Sequence, residues 1–153
     1  MSPFKRYNDY STYLRNAFGC RVQKISVDAG LTCPNRDGTL STAGCIYCNA
    51  RGSGTGAHAG GLSITEQLLA GKAALSRRYK AKKFIAYFQS FSNTYAQVPK
   101  LRRLYDEALA VDDVVGLSIG TRPDCVAEPV LDLLAGYAAD HLVWIEYGLQ
   151  SAH

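Results

Sequence analysis

Three cysteines within sixteen residues, Cys33, Cys45 and Cys48, are the part of this sequence whose types and spacing can do chemistry. Cys45 and Cys48 are separated by two residues, so a tight turn aims both sulfurs the same way. Cys33 supplies a third thiolate from the far side of a glycine-containing loop. Thiolates so arranged bind a metal ion or an iron–sulfur cluster. Three of them on a cubane of four irons leave one iron open, whereas a closed zinc site takes four protein ligands. Cys20 is the candidate fourth ligand for a zinc knuckle, but it precedes the first predicted strand and starts from the opposite end of the sheet. Cys125 follows the third predicted strand and reads either as a packed free thiol or as an active-site one.

The remaining polar candidates each have a plain structural alternative. Gly52, Gly54, Gly56, Gly60 and Gly61 fit no GxGxxG turn and read as a flexible flap over the cysteines. Arg122 and Asp124 flank Pro123, where a simple turn explains them as well as a site does. Glu146 lies in an apolar strand, and a buried carboxylate requires a partner. His58 and His141 stand alone and read as surface or capping residues. The basic run Arg77, Arg78, Lys80, Lys82 and Lys83 falls where a helix ends, so it complements the helix dipole or contacts phosphate.

These residues need elements to hold them. Residues 8–18 predict a short leading helix closed by Gly19, and 22–27 alternate as a first strand. From Gly30 to Gly61 little periodicity appears, and a loop of that length in a compact domain is usually functional. Ser63 and Glu66 form a capping box for a helix to Tyr79, with Leu68, Leu69, Ala73 and Leu75 on or near one face. Strands follow at 84–88, 114–119 and 142–147, with helices at 99–110 and 128–139 between them. The pattern is a run of βα units, which predicts an α/β fold with a parallel sheet. The three cysteines come just after the first strand, at the carboxyl edge where such folds build sites.

Apolar residues at 47% and charged residues at 20% describe a globular chain with its own core. No run of about 18 apolar residues predicts a membrane span. The N-terminus has no apolar stretch behind its basic residues, so the expected compartment is the cytoplasm. There an odd count of five cysteines argues against a disulfide framework.

Cys33-Pro-Asn-Arg-Asp-Gly38 followed by Gly44-Cys-Ile-Tyr-Cys48 resembles the radical S-adenosylmethionine superfamily, in a bacterial branch related to the elongator catalytic subunit. Gly52-Ser-Gly54, Tyr87 to Ala96, Gly116 to Cys125 and Glu146 to Ser151 continue the resemblance across the chain. Eleven residues separate Cys33 from Cys45, where the commonest superfamily spacing has three; the elongator-like branch also has a long first gap. The resemblance implies a partial (β/α)6 barrel with about four βα units present, comprising an extension over 1–20 and a core domain over 21–153 truncated at its C-terminus. It implies a 4Fe–4S cluster on Cys33, Cys45 and Cys48, whose open iron chelates S-adenosylmethionine. Tyr47 would lie against the adenine, the end of strand two (Gln89, Ser92, Asn93) would take the methionine amino group, and Gln150 and Ser151 would meet the ribose. Glu146 joins this cofactor-binding set. An electron donor such as flavodoxin or ferredoxin is implied, and by analogy with elongator a tRNA substrate. A non-catalytic iron–sulfur or zinc module is the alternative. With units missing, this stretch is expected to load a cluster more readily than it turns over the cofactor, and to leave an uncovered apolar face around Leu142, Val143 and Trp144.

Overall fold

The computed structural model describes residues 6–150. The chain runs α1 (Tyr10–Phe18), β1 (Val22–Val27), α2 (Ile64–Tyr79), β2 (Lys83–Phe88), α3 (Val98–Leu109), β3 (Val114–Thr121), a 3₁₀ turn (Pro123–Cys125), α4 (Glu128–Ala138) and β4 (Leu142–Tyr147). The four strands form one sheet in the order β1-β2-β3-β4, every pair parallel. The predicted elements are all present, with bounds shifted by at most two residues.

Local chemistry sets the helix ends. Asp9 accepts the Thr12 N–H at 2.8 Å and starts α1, and Gly19 at φ 68° closes it. At α2, Ser63 accepts the Glu66 N–H while the Glu66 carboxylate accepts the Ser63 N–H at 2.8 Å, a complete capping box. The basic run lies at the other end of α2, with Arg77 and Arg78 in its last turn where cations favour the dipole.

Strand alternation sends side chains to two different cores. Ile25, Val27, Phe84, Ala86, Phe88, Leu117 and Ile119 face α2, α3 and α4, meeting Leu68, Leu101, Tyr105, Leu133 and Leu134. The Phe88 ring stands edge-on to Tyr105 at 5.1 Å. α2 lies close on the sheet at Gly71, where a Cβ would come within 2.4 Å of Ile25. On the opposite face Val22 and Ile85 bury Leu14 of α1, with Phe18 and Leu142 packed alongside.

Two expectations are corrected. β4 does not show a bare face: α1 crosses under the sheet and lays Tyr10 and Tyr13 against Trp144, with ring centroids 5.0 and 5.6 Å apart. Val143 and Ile145 pack into the helical core, and Leu142 to Glu146 are all half-buried. In α2, Leu69 is 52% exposed and Ala73 is also on the solvent side. The buried positions are Ile64, Gln67 and Leu68, so the core-facing stripe is narrower than the apolar residues suggest.

Gln67 fastens the cysteine loop to the fold. Its Oε1 accepts the Asp28 N–H at 2.7 Å, and its Nε2 donates to the carbonyls of Asp28 at 2.9 Å and Leu62 at 3.1 Å. One buried amide thus ties the beginning of the loop to its end. Gln67→Leu keeps the size and removes all three bonds, leaving backbone groups unpaired in the interior. Because each such group costs about 1–3 kcal/mol, a loss of about 3 kcal/mol in urea unfolding is expected, with faster proteolysis between residues 29 and 62. Wild-type stability and wild-type proteolysis would contradict this role.

Candidate functional site

The carboxyl ends of all four strands meet one cavity of about 270 Å³. Cys33, Cys45 and Cys48 line it from the loop after β1, Gln89 and Ser92 from the end of β2, Arg122 from the end of β3, and Glu146 and Gln150 from β4. Tyr47 lies on the wall beside them. Cys20 precedes β1 at the other end of the sheet and is absent from this lining. Cys125 lines a neighbouring cavity with Thr94 and Asp124. Burial pushes its thiol upward, and the Asp124 charge adds to that.

The loop between the first two cysteines folds back on itself. Pro34 accepts the Leu40 and Ser41 N–H groups at 2.8 and 3.2 Å, and the Asn35 carbonyl accepts the Gly44 N–H at 2.8 Å. The Asn35 side chain donates to the Cys45 sulfur at 3.0 Å. Arg36 reaches across to the CxxC turn, where its Nη2 donates to the carbonyls of Cys48 at 2.9 Å and Asn49 at 3.0 Å. Its guanidinium lies against Gly44, where a Cβ would come within 2.2 Å. Cys33 is buried, and its sulfur accepts from Ser92 Oγ at 3.3 Å. The Asn35 hydrogen bond holds the Cys45 thiol below the ordinary cysteine range despite partial burial, with Tyr47, Arg122 and Arg36 acting the same way. Cys45 in turn raises the Tyr47 hydroxyl, which donates to Gln150 Oε1 at 3.0 Å.

The start of the glycine-rich stretch, at Gly52 and Gly54, is a packed wall, whereas Gly60 and Gly61 at its end are exposed. A Cβ on Gly54 would sit 1.7 Å from Ser90 Oγ, and one on Gly52 would meet Phe91 at 2.7 Å. The loop therefore approaches the end of β2 backbone to backbone, which only glycine allows.

Asn93 lies at the same edge but faces inward. It is fully buried, its Nδ2 donates to the Phe88 and Gly120 carbonyls at 3.1 and 2.9 Å, and it does not line the cavity. It staples β2 to β3 and so shapes the wall indirectly. Arg122 forms a two-bond fork with Asp124 at 2.8 and 2.6 Å, which keeps the guanidinium charged. Ser151 lies outside the described residues.

Beneath the cavity runs a polar network that the sequence reading missed. Lys24 of β1 ion-pairs with Glu146 of β4, and Ser118 Oγ donates to the same Glu146 oxygen at 2.5 Å. The Lys24 ammonium also lies 4.4 Å from the Tyr87 ring centre and within 6 Å of Tyr10 and Trp144. Lys24, on the same face of β1 as the buried Val22, was the available signal, since it requires a carboxylate as much as Glu146 requires a cation.

Among the described residues no three Cys, His, Asp or Glu side chains gather closely enough to hold a single metal ion. The cysteine sulfurs share a cavity without meeting at a point. Two guanidiniums line the cavity with the three thiols: Arg122, paired with Asp124, and Arg36, whose buried Nε has no partner among the described residues. Thiols beside a positive charge are donors of the kind that soft metal centres take.

Over 149 residues the chain is 44% identical to the uncharacterized protein YtqA of Bacillus subtilis, covering 97% of this chain and 46% of that protein. It is 43% identical over 150 residues to protein YhcC of Escherichia coli K12, covering 97% and 47%. It is 36% identical over 152 residues to the uncharacterized protein MJ0486 of Methanocaldococcus jannaschii, covering 96% and 45%. The chain spans about half the length of these curated relatives. No family model and no solved structure matches it.

Glu146 supplies a pH-dependent part of stability. Burial pushes its pKa up, but hydrogen bonds from Lys24, Ser118 and Tyr87 outweigh that and hold it below the ordinary glutamate range. A depressed folded-state pKa contributes stability that is complete above the unfolded value, about 4.3, and is lost as pH falls through the folded one. Glu146→Gln should therefore lower Tm at neutral pH and flatten its decline below about pH 4.3. Parallel Tm–pH curves for variant and wild type would refute this.

Proposed function

We propose that this chain carries the cluster site of a radical S-adenosylmethionine enzyme. The observation that supports it most is the meeting of Cys33, Cys45 and Cys48 on one cavity at the carboxyl edge of a parallel sheet, apart from Cys20 and Cys125. The four-stranded sheet is then the first part of a partial (β/α)6 barrel, with residues 21–153 in the core domain. The three thiolates hold a 4Fe–4S cluster and leave one iron for S-adenosylmethionine. A bound cluster would supply one electron to the sulfonium, breaking a carbon–sulfur bond to release methionine and a carbon-centred radical that takes hydrogen from a substrate.

The chain's own residues bind and orient. Tyr47, 65% exposed at the mouth and steadied by Gln150, offers an aromatic face to adenine. Gln89 and Ser92 present polar atoms from the end of β2, and Glu146 offers its carboxylate from the floor. Glu146 is already paired with Lys24, so it meets the cofactor's ammonium as part of a neutral pair rather than as a bare charge. Asn93 acts by holding the β2–β3 edge, not by contact. The packed glycine wall at Gly52 and Gly54 keeps water from one side of the cysteines.

The resemblance that suggests the cofactor also suggests the setting: a cytoplasmic protein reduced by a flavodoxin or ferredoxin, with a tRNA substrate. Among the described residues no helix is long and apolar enough to cross a membrane. A zinc knuckle would need a fourth ligand at the same place, and Cys20 is at the other end of the sheet.

Anaerobic reconstitution tests the reading. The chain should bind about four irons with matching acid-labile sulfide. Cys33→Ala, Cys45→Ala and Cys48→Ala should each abolish that, while Cys20→Ala and Cys125→Ala retain it. Stoichiometric zinc without labile sulfide in anaerobically purified native protein would overturn the proposal.

A further inference from the structure

We propose that Asn35 is a positioning residue of the cysteine site, whose side-chain amide donates to the Cys45 sulfur and thereby raises the reduction potential of the cluster held there. The inference rests on the cluster reading above.

Three observations support it. First, the bond is short for nitrogen to sulfur, with Nδ2 3.0 Å from Cys45 Sγ. Second, Asn35 is fastened on its backbone side: its carbonyl accepts from the Gly44 N–H at 2.8 Å and from Ser41 Oγ at 3.1 Å. Gly44 adjoins Cys45, so the residue that carries the donor is tied to the backbone that carries the acceptor. Arg36 adds the second tie, from its guanidinium to the Cys48 and Asn49 carbonyls. The segment after Cys33 therefore holds the CxxC turn at two points. Third, the three sulfurs are not treated alike. Cys33 receives a hydroxyl at 3.3 Å, and the contact of the Cys48 sulfur is with the Asn49 carbonyl at 3.6 Å, where the oxygen can only accept.

The chemistry follows from charge. Reduction adds one electron to the cluster, and part of the added negative charge resides on the ligand sulfurs. An N–H directed at one of them stabilises the reduced form more than the oxidised one, and so raises the potential. A donor held by its own backbone keeps that effect through the redox cycle, because it cannot turn away to water.

The test compares reconstituted full chains by redox titration followed by electron paramagnetic resonance. Asn35→Leu keeps the bulk and removes the donor; Asn35→Ala is the second variant should leucine impair folding. Both should lower the ratio of reduced to oxidised cluster about tenfold at a fixed potential, a shift of about 59 mV toward negative values for one electron. Cys20→Ala, at the other end of the sheet, should titrate with the wild type. Asn35 variants that load a cluster and titrate at the wild-type potential would overturn the inference while leaving the cluster reading intact. Loss of the cluster from both variants, with circular dichroism and Tm unchanged, would also overturn it, reducing Asn35 to a residue needed for loading. A wild-type chain that binds no iron and sulfide would sink the underlying reading and this inference together.

Discussion

The site depends on closing a loop of more than thirty residues that has no helix or strand of its own. Between β1 and α2 the backbone must find partners for its polar groups without a ladder or a helix to supply them. Gln67 solves the problem at the base, where its amide bonds both ends of the loop. Everything the cysteines can do follows from that clamp, since it fixes where the loop leaves the sheet and where it returns. An amide suits the task because it both donates and accepts, and it carries no charge that burial would penalise.

The same device recurs on either side of the cavity. Asn93 bonds the carbonyls of Phe88 and Gly120 and joins the ends of β2 and β3. Asn35 joins the first cysteine segment to the second. Gln67 and Asn93 supply partners to backbone carbonyls, and Asn35 supplies one to a sulfur. The glycines complete the arrangement by letting two stretches of main chain touch, at Gly52 and Gly54 against Ser90 and Phe91. Two glycines of a run otherwise suggestive of mobility, Gly52 and Gly54, are here a condition of close packing.

This division explains what could be read from the sequence. Strands and helices were legible because their signals are local: the Ser63–Glu66 box, the alternation of β1, the βα rhythm. The cysteine positions were legible because sulfur spacing is local too. The roles of Gln67, Lys24 and the full burial of Asn93 were not, since each is defined by a partner remote in sequence. Lys24 and Glu146 are 122 positions apart, and neither names the other until the sheet brings them together. The path of α1 was hidden for a similar reason. Its tyrosines resemble surface residues until Trp144 of the last strand is placed beneath them. Leu69 shows the converse error, an apolar residue counted toward a face that Gln67 occupies instead.

Charge around the cavity shows the same economy. The Lys24–Glu146 pair and the Arg122–Asp124 fork each join a cation to an anion, so neither pair adds a net charge. Arg36 is different: its guanidinium is held by two carbonyls, and it has no ion pair among the described residues. Carbonyl oxygens orient a guanidinium without cancelling it. Arg36 therefore leaves a full positive charge beside the CxxC turn, where thiols must lose protons before they can bind any metal. With the Asn35 amide directed at Cys45, the segment after Cys33 holds the CxxC turn at two points and favours the Cys45 thiolate. The first cysteine and the residues that follow it are thus a folded support for the CxxC pair, and the eleven residues between Cys33 and Cys45 are what allow the chain to turn back and provide it.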